Sequence, residues 1–207
     1  MPVRKIIMGA GSAGRAALSN LRANHIDNVF FLDDNLSVNS VNDAVVLDKV
    51  CNWRKYNDNN AEFLIAFGTS DLKYKIQLFN EMEADGALFF NAIHPSAVID
   101  EYVNLGRSVV VSPNVSIMSN AKVGDCTFIC ANCSIDHDCN IGDGIHVSPG
   151  VNLAGGVTVG NSTFLGTNSS VIPCIKIGSN VIVGAGAVVT KDIDSFKKVA
   201  GVPAKDI

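Results

Sequence analysis

Large aliphatic residues recur at every sixth position through the second half of the chain. Seventeen consecutive hexads, from residue 93 to residue 189, begin with the same kind of side chain: Ile93, Ile99, Leu105, Val111, Ile117, Val123, Ile129, Ile135, Ile141, Val147, Leu153, Val159, Leu165, Val171, Ile177, Val183 and Val189. The position four residues later is mostly small or β-branched, and Gly, Asn and Asp crowd the positions between. A helix repeats every 3.6 residues and a strand every 2, so a period of six indicates a short strand and a turn, repeated. The pattern predicts a parallel β-helix whose stacked coils share one apolar interior.

The first part of the chain carries a different pattern. Residues 5–8 and 29–32 read as buried strands, and residues 15–24 between them read as a helix. The first turn of this β-α-β unit is Gly9-Ala10-Gly11-Ser12-Ala13-Gly14, and the second strand ends at Asp33-Asp34. Glycines let a backbone approach phosphate, and a helix N-terminus offers free N–H groups to an anion. The spacing therefore predicts a nucleotide site, the alternative being a glycine turn used only for packing.

A full dinucleotide-binding fold needs two such β-α-β halves. The hexads begin at about residue 93, so the residues before them provide only one half. We therefore expect two domains: a reduced Rossmann-like α/β domain over 1–92 and an all-β parallel β-helix with a C-terminal tail over 93–207. A further strand ending at Gly68 precedes a helix over 72–85, which Thr69-Ser70-Asp71 is expected to cap. The asparagine-rich stretch 48–60, with Trp53, reads as a surface excursion.

Composition excludes several classes of protein. The net charge is −4 and no basic run is present, which argues against a nucleic-acid surface. No apolar run approaches ~20 residues, and the N-terminus lacks the features of a signal peptide, so we expect a cytoplasmic protein that does not insert into membranes. Cys126, Cys130 and Cys133 have a spacing also used by iron–sulfur enzymes. All three keep the six-residue register, so we expect structural thiols and no metal site.

The hexads resemble those of the left-handed β-helix acyltransferases, in which three hexads form one triangular coil. Nearly the whole chain is similar to bacterial nucleotide-sugar acetyltransferases, a family that includes the N-acetyltransferase of the bacillosamine pathway and its perosamine and sialic-acid relatives. The similarity lies in the glycine turn and in these stretches: Phe31-Leu32-Asp33-Asp34, the strand to Gly68, His94-Pro95-Ser96-Ala97, His137-Asp138, Ile141-Gly142, His146-Val147-Ser148, Phe164-Leu165-Gly166 and Gly201-Val202-Pro203-Ala204-Lys205.

Two histidines stand out within the coils. Neither His137 nor His146 occupies an inward position, so both are expected at the surface. They are nine residues apart, half of an eighteen-residue coil, and therefore lie on different sides of one prism. They could share a site only between neighbouring prisms, which predicts a homotrimer with sites between subunits. Neutral imidazole accepts a proton near neutral pH, and Asp138 or Asp136 is close enough to orient it.

The resemblance implies a role for each matching position. His137 would be the general base, with Asp138 raising its basicity. Acetyl-CoA would contact His146, Gly166, Thr167 and Ala185. The nucleotide sugar would contact Gly9, Gly11, Ser12, Ala13, Asp33, Asp34 and Gly68. The chain departs from the family at Ala13, where a histidine is frequent, and at Asp138, where the bacillosamine enzyme has Glu.

These observations predict an acetyltransferase that uses acetyl-CoA and acts on the amine of a nucleotide-activated sugar. A UDP-linked 4-amino-4,6-dideoxy sugar of bacterial surface-glycan or glycoprotein biosynthesis is the expected acceptor. The alternatives are O-acetylation of a sialic acid, NAD-dependent oxidoreduction, and a non-catalytic trimeric scaffold that binds a nucleotide sugar.

Overall fold

The computed structural model describes residues 2–37, 39–68 and 72–207, so the expected cap at 69–71 lies outside the described residues. In the N-terminal part, these residues form one small mixed sheet flanked by helices. The strand order is β3-β4-β2-β1-β5, with β3 antiparallel to β4 and the other pairs parallel. The elements are β1 (Arg4–Met8), α1 (Ser12–Ala23), β2 (Val29–Leu32), β3 (Ser40–Val41), β4 (Ala44–Asp48), a 3₁₀ helix (Val50–Tyr56), β5 (Ala61–Ile65) and α2 (Leu72–Ala84).

Both faces of this sheet are covered, which explains why its strands read as continuous apolar runs. The apolar side of α1 packs on one face, and α2 with the 3₁₀ helix packs on the other. Close approach of α1 to β1 depends on Gly14. A Cβ built there would lie 1.9 Å from the carbonyl oxygen of Gly9, so only glycine fits. As expected, β1, α1 and β2 form a β-α-β unit with parallel strands.

The expectation of a surface excursion at residues 48–60 is wrong at its centre. Residues 50–56 form the 3₁₀ helix, and Trp53 is only 1% exposed. Its ring meets Phe63 edge-on, with 6.2 Å between ring centroids. A seven-residue 3₁₀ helix is too short to show a period, so the polar residues around Trp53 hid an anchor of the core.

The second half is a triangular prism of two-residue strands, each ending at the aliphatic residue of its hexad. Face I consists of β6 (Ala92–Ile93), β9 (Val110–Val111), β12 (Phe128–Ile129), β15 (His146–Val147), β18 (Phe164–Leu165) and β21 (Ile182–Val183). Face II consists of β7 (Val98–Ile99), β10 (Ser116–Ile117), β13 (Ser134–Ile135), β16 (Asn152–Leu153), β19 (Ser170–Val171) and β22 (Val188–Val189). Face III consists of β8 (Asn104–Leu105), β11 (Lys122–Val123), β14 (Asn140–Ile141), β17 (Thr158–Val159) and β20 (Lys176–Ile177).

Every strand from β6 to β19 pairs in parallel with the strand three places later, for example Phe128 with His146. One coil is therefore three hexads, and a residue stacks on the residue eighteen places along the chain. At the upper end, β23 (Lys198–Ala200) continues face I and β24 (Lys205–Asp206) pairs with it antiparallel.

The corners of the prism explain the crowding of Gly, Asn and Asp. Every sixth residue from 108 to 186 has a positive φ: Ser108, Asn114, Asn120, Cys126, Asn132, Asp138, Gly144, Gly150, Gly156, Ser162, Asn168, Cys174, Asn180 and Gly186. Glycine, asparagine and aspartate adopt this left-handed conformation at the lowest cost. The aliphatic residues fill the interior together with Cys133 and Cys139, whose thiols are buried as expected.

The N-terminal part is fixed to the lower half of face I. The side-chain amide of Asn20 in α1 donates to the carbonyls of Ala92 (3.0 Å) and Val111 (2.9 Å). The buried ammonium of Lys75 in α2 donates to the carbonyl of Cys126 at 3.2 Å. Phe128 also packs in the cluster formed by α1 and the small sheet. These contacts hold the glycine turn in a set position relative to the coils.

Candidate active site

The corner between β13 and β14 presents Asp136, His137 and Asp138 on the outside of the prism. The Nδ1 atom of His137 lies 2.8 Å from Oδ2 of Asp138, and both side chains are well exposed. Asp136 accepts a hydrogen bond from the backbone N–H of His137 at 2.8 Å. With Nδ1 donating to the carboxylate, Nε2 is the unprotonated nitrogen and the proton acceptor of the ring.

The electrostatics of this corner favour a histidine that gains a proton readily. The hydrogen bond to Asp138 raises the pKa of His137 above its ordinary value, and the nearby charge of Asp136 acts in the same direction. The pKa of Asp138 is lowered in turn by hydrogen bonds from His137 and Asn120. The pair is thus arranged to stabilise an imidazolium as it forms.

Two residues that hold this pair were not among the predicted site residues. Gly155 lies one coil above His137, and a Cβ built on it would lie 2.6 Å from Cε1 and Nε2 of the imidazole. Asn120 lies one coil below Asp138, and its side-chain amide donates to Oδ1 of that carboxylate at 3.3 Å. Both are eighteen residues from the residue they support. The coil period could therefore have identified them, had it been applied to the histidine corner.

His146 lies on the outside of face I, as expected, but its side chain is only partly exposed there. Its ring stacks between Phe128 and Phe164, at centroid distances of 5.6 Å and 5.4 Å. The Sγ atom of Cys130 lies 3.7 Å from its Nε2. Burial lowers the pKa of His146 to about 4, with a smaller contribution from the positive charge of Lys75. The ring is therefore neutral at physiological pH.

The remaining positions expected to meet acetyl-CoA lie on the corner between faces I and II. Gly166 and Ala185 are stacked there, since a Cβ on Gly166 would lie 2.6 Å from the backbone nitrogen of Ala185. Thr167 lies beside them and is exposed. His137 is on the next corner, across face II. A groove of about 550 Å³ on face II is lined by Met118, Ser134, Ile135, Asp136, Asn152, Leu153, Ala154, Ser170, Val171, Ile172 and Pro173.

The glycine turn and the ends of β2 and β5 enclose a crevice with two lobes. One lobe, of about 300 Å³, is lined by Gly9, Gly11, Asp33, Asp34, Val50, Ala66, Phe67, Gly68 and Tyr74. The other, of about 220 Å³, is lined by Ala10, Gly11, Arg15, Asp33, Asn35, Val41 and Val46. The structure thus brings together five of the seven positions predicted to bind a nucleotide sugar. Ser12 and Ala13 line neither lobe; Ser12 is exposed at the start of α1, and Ala13 packs in the core.

Two further findings concern the described residues alone. None of their helices is both long and apolar enough to cross a lipid bilayer. They also contain no group of three or more His, Cys, Asp or Glu side chains placed to bind one metal ion.

Comparison with protein families and solved structures shows which known proteins this chain resembles. Residues 156–191 match the family model described as bacterial transferase hexapeptide (six repeats). A crystal structure of perosamine N-acetyltransferase from Caulobacter crescentus, a histidine-to-asparagine mutant in complex with CoA and GDP-perosamine, is 33% identical in sequence. The match covers 99% of this chain and 96% of that chain, with a TM-score of 0.91. The chain belongs to the hexapeptide-repeat transferases.

Two further solved structures share the whole architecture. The acetyltransferase domain of PglB from Neisseria gonorrhoeae, in complex with acetyl coenzyme A, is 26% identical over 100% of both chains, with a TM-score of 0.94. WeeI from Acinetobacter baumannii is 25% identical over 99% of this chain and 100% of that chain, with a TM-score of 0.89. A comparison with curated protein sequences gives no match.

Proposed function

We propose that this protein transfers the acetyl group of acetyl-CoA to the amine of a nucleotide-activated amino sugar. The observation that carries the proposal is the orientation of His137. Its side chain is exposed and its Nδ1 is held by Asp138 at 2.8 Å, so Nε2 is free to accept a proton. The perosamine N-acetyltransferase and the PglB domain, crystallised with CoA and acetyl-CoA respectively, support this reaction type.

The reaction follows from one base and no covalent enzyme intermediate. The sugar nitrogen attacks the thioester carbonyl, a C–N bond forms, and Nε2 of His137 takes the proton that the nitrogen loses. Collapse of the tetrahedral intermediate breaks the C–S bond, and the imidazolium returns the proton to the departing thiolate of CoA. The negative charge of Asp138 stabilises the imidazolium between these two steps.

The division of labour between the two parts of the chain belongs to the same proposal. Residues 1–92 would act as a reduced Rossmann-like domain that holds the nucleotide sugar in the two-lobed crevice. Residues 93–207 would form a left-handed β-helix that supplies the base and the CoA channel. Support comes from the crevice-lining set around Gly11 and Asp33, and from the GDP-perosamine bound to the 33% identical relative.

A homotrimer would complete the site. His137 lies on the corner between faces II and III, while His146 lies on face I and Thr167 on the corner between faces I and II. These residues can meet around one acetyl-CoA molecule only when the corner of one prism approaches face I of another. A cytoplasmic enzyme would have both acetyl-CoA and nucleotide sugars within reach.

Thiol release from acetyl-CoA tests the proposal directly. The acceptor panel holds UDP-, dTDP- and GDP-linked 4-amino-4,6-dideoxy sugars together with free sialic acid. We expect His137-dependent release with one nucleotide amino sugar. Release with sialic acid alone would replace the proposal with O-acetylation. If no acceptor of the panel causes thiol release although a nucleotide sugar binds tightly, the non-catalytic scaffold would be favoured.

A further inference from the structure

The ring of His146 is held in one plane by two aromatic neighbours on face I. It stacks between Phe128, one coil below, and Phe164, one coil above, at interplanar angles of 21° and 5°. A ring stacked in this way can still turn over about its Cβ–Cγ bond, which exchanges its nitrogen and carbon atoms without changing the plane. A further contact is therefore needed to decide which imidazole atoms face which neighbours.

Cys130, which directly follows β12, provides this contact. Its Sγ atom lies 3.7 Å from Nε2 of His146, and its side chain is partly buried. Burial raises the pKa of the Cys130 thiol to about 12. Burial also lowers the pKa of His146 to about 4, with a smaller contribution from the charge of Lys75. At neutral pH the thiol therefore keeps its proton, and the imidazole carries one proton on one of its two nitrogens.

The chemistry of the two groups decides which nitrogen of His146 carries the proton. A thiol is a weak donor and its sulfur a weak acceptor, whereas the unprotonated nitrogen of a neutral imidazole is a good acceptor. In the stronger pairing, the S–H group of Cys130 donates to Nε2, which leaves the proton of His146 on Nδ1. A hydrogen bond at one ring nitrogen thus sets the chemistry of the other.

The Nδ1 atom of His146 is available to a ligand. It has no hydrogen-bond partner within residues 2–37, 39–68 and 72–207. In that same part of the chain, Oγ of Ser169 is the only fully buried side-chain nitrogen or oxygen without a partner, so Nδ1 keeps contact with solvent. An uncharged N–H group in this place suits a neutral acceptor, such as a carbonyl oxygen.

We propose that Cys130 is a positioning residue: its thiol donates to Nε2 of His146, so that Nδ1–H is presented to a carbonyl oxygen of acetyl-CoA. Acetyl-CoA carries such oxygens in its thioester and in the amides of its pantetheine arm. A neutral donor serves them without the cost of burying an unpaired charge. This inference rests on the proposed function, which places His146 beside acetyl-CoA.

The position of the proton on His146 can be measured directly by NMR. Long-range ¹H–¹⁵N correlation spectra of the full-length protein, labelled at histidine, distinguish the two neutral tautomers, and His146→Phe identifies the signals of His146. We expect Nδ1 to be protonated and Nε2 unprotonated in the wild type at neutral pH. In Cys130→Ala the donor to Nε2 is lost, so the tautomer protonated at Nε2 should gain population.

Binding of acetyl-CoA gives a second readout. Isothermal titration is done without acceptor sugar, so that no acetyl group is transferred. The Kd should rise about tenfold in Cys130→Ala, which corresponds to one neutral hydrogen bond. Cys130→Ser keeps a donor, so it should retain the wild-type tautomer and bind within about twofold of the wild type. Cys51→Ala removes an exposed thiol on the 3₁₀ helix and should leave both readouts unchanged.

The inference is overturned if Nε2 of His146 carries the proton in the wild type, a result that needs no variant to fold. It is also overturned if Cys130→Ala leaves the tautomer and the affinity for acetyl-CoA unchanged. Equally weak binding by Cys130→Ser and Cys130→Ala would assign the effect to packing and overturn it as well.

Failure of this inference differs from failure of the proposed function. Acetyl transfer that depends on His137, together with a His146 protonated at Nε2, would remove the role of Cys130 and keep the acetyltransferase. The expected tautomer and tight binding of acetyl-CoA, without acetylation of any sugar of the panel, would do the reverse.

Discussion

Substituting Gly155 by alanine is expected to disable the base without touching it chemically. The new methyl group would lie 2.6 Å from Cε1 and Nε2 of His137, where ordinary van der Waals contact begins at 3.4 Å. The imidazole must therefore retreat by about 0.8 Å or rotate, and its 2.8 Å hydrogen bond to Asp138 is lost or distorted. A misplacement of about 1 Å can cost on the order of 10²-fold in rate, which is the fall in kcat that we expect.

The assay is steady-state thiol release with the acceptor identified from the panel, together with thermal unfolding. Gly155 does not have a positive φ, so alanine is compatible with its backbone, and the variant should unfold cooperatively near the wild-type temperature. Ser119→Ala, on the same corner one coil below His137, is the matched control and should keep full activity. A folded Gly155→Ala variant with wild-type kcat would refute the claim that the ring position over Gly155 is required.

Three further predictions follow from the same geometry. In Asp138→Asn the pKa of His137 should fall, because the hydrogen bond to the Asp138 carboxylate that raises it is lost. The acidic limb of the kcat/KM–pH profile should therefore move to lower pH, and kcat should drop about tenfold. The folded-state pKa of His146 is about 4 against 6.5 for a free histidine, so the unfolded chain binds more protons between these values. The free energy of unfolding should fall by up to ~3 kcal/mol as pH drops from 6.5 toward 4. Chemical denaturation of His146→Phe should not show this part of the loss. Thr163→Val should lower the free energy of unfolding by about 1–2 kcal/mol, because Oγ1 of Thr163 donates to one carbonyl and accepts from one backbone N–H. Ser169→Ala should be neutral or stabilising, because that buried hydroxyl has no partner among the described residues. Equal effects of the two substitutions in urea titrations would contradict this reasoning.

The β-helix could be predicted in detail because its constraint is local and repeated. Each hexad must place one aliphatic side chain inside and one residue at a corner, so the register was visible from Ile93 to Val189. The structure ends every one of these strands at the predicted residue. Trp53 could not be placed in this way, because its burial depends on tertiary packing in the core between the sheet and α2, which leaves no period in the sequence.

The site was predictable in kind and less so in detail. The pairing of His137 with Asp138 could be predicted because the two residues are adjacent in the sequence. The crevice around Gly11 and Asp33 could be predicted because a parallel sheet brings the carboxyl ends of its strands together. The partial burial of the His146 ring was not predicted, because it depends on aromatic residues one coil below and one coil above. Sequence alone also treats Asp33 and Asp34 alike, whereas the carboxylate of Asp33 accepts hydrogen bonds from the backbone N–H groups of Ala10 and Asn35, and that of Asp34 accepts one from Val50.

Single-turnover acetyl transfer by wild type and His137→Ala tests the central claim most directly. Product formation is followed by mass spectrometry, with saturating acetyl-CoA and the acceptor sugar, after titration has shown that both variants bind both substrates. General-base catalysis predicts a rate lower by about 10²–10⁴-fold in His137→Ala with unchanged affinities. Equal rates in the two proteins would contradict the account and leave the corner of Asp136, His137 and Asp138 without a catalytic role.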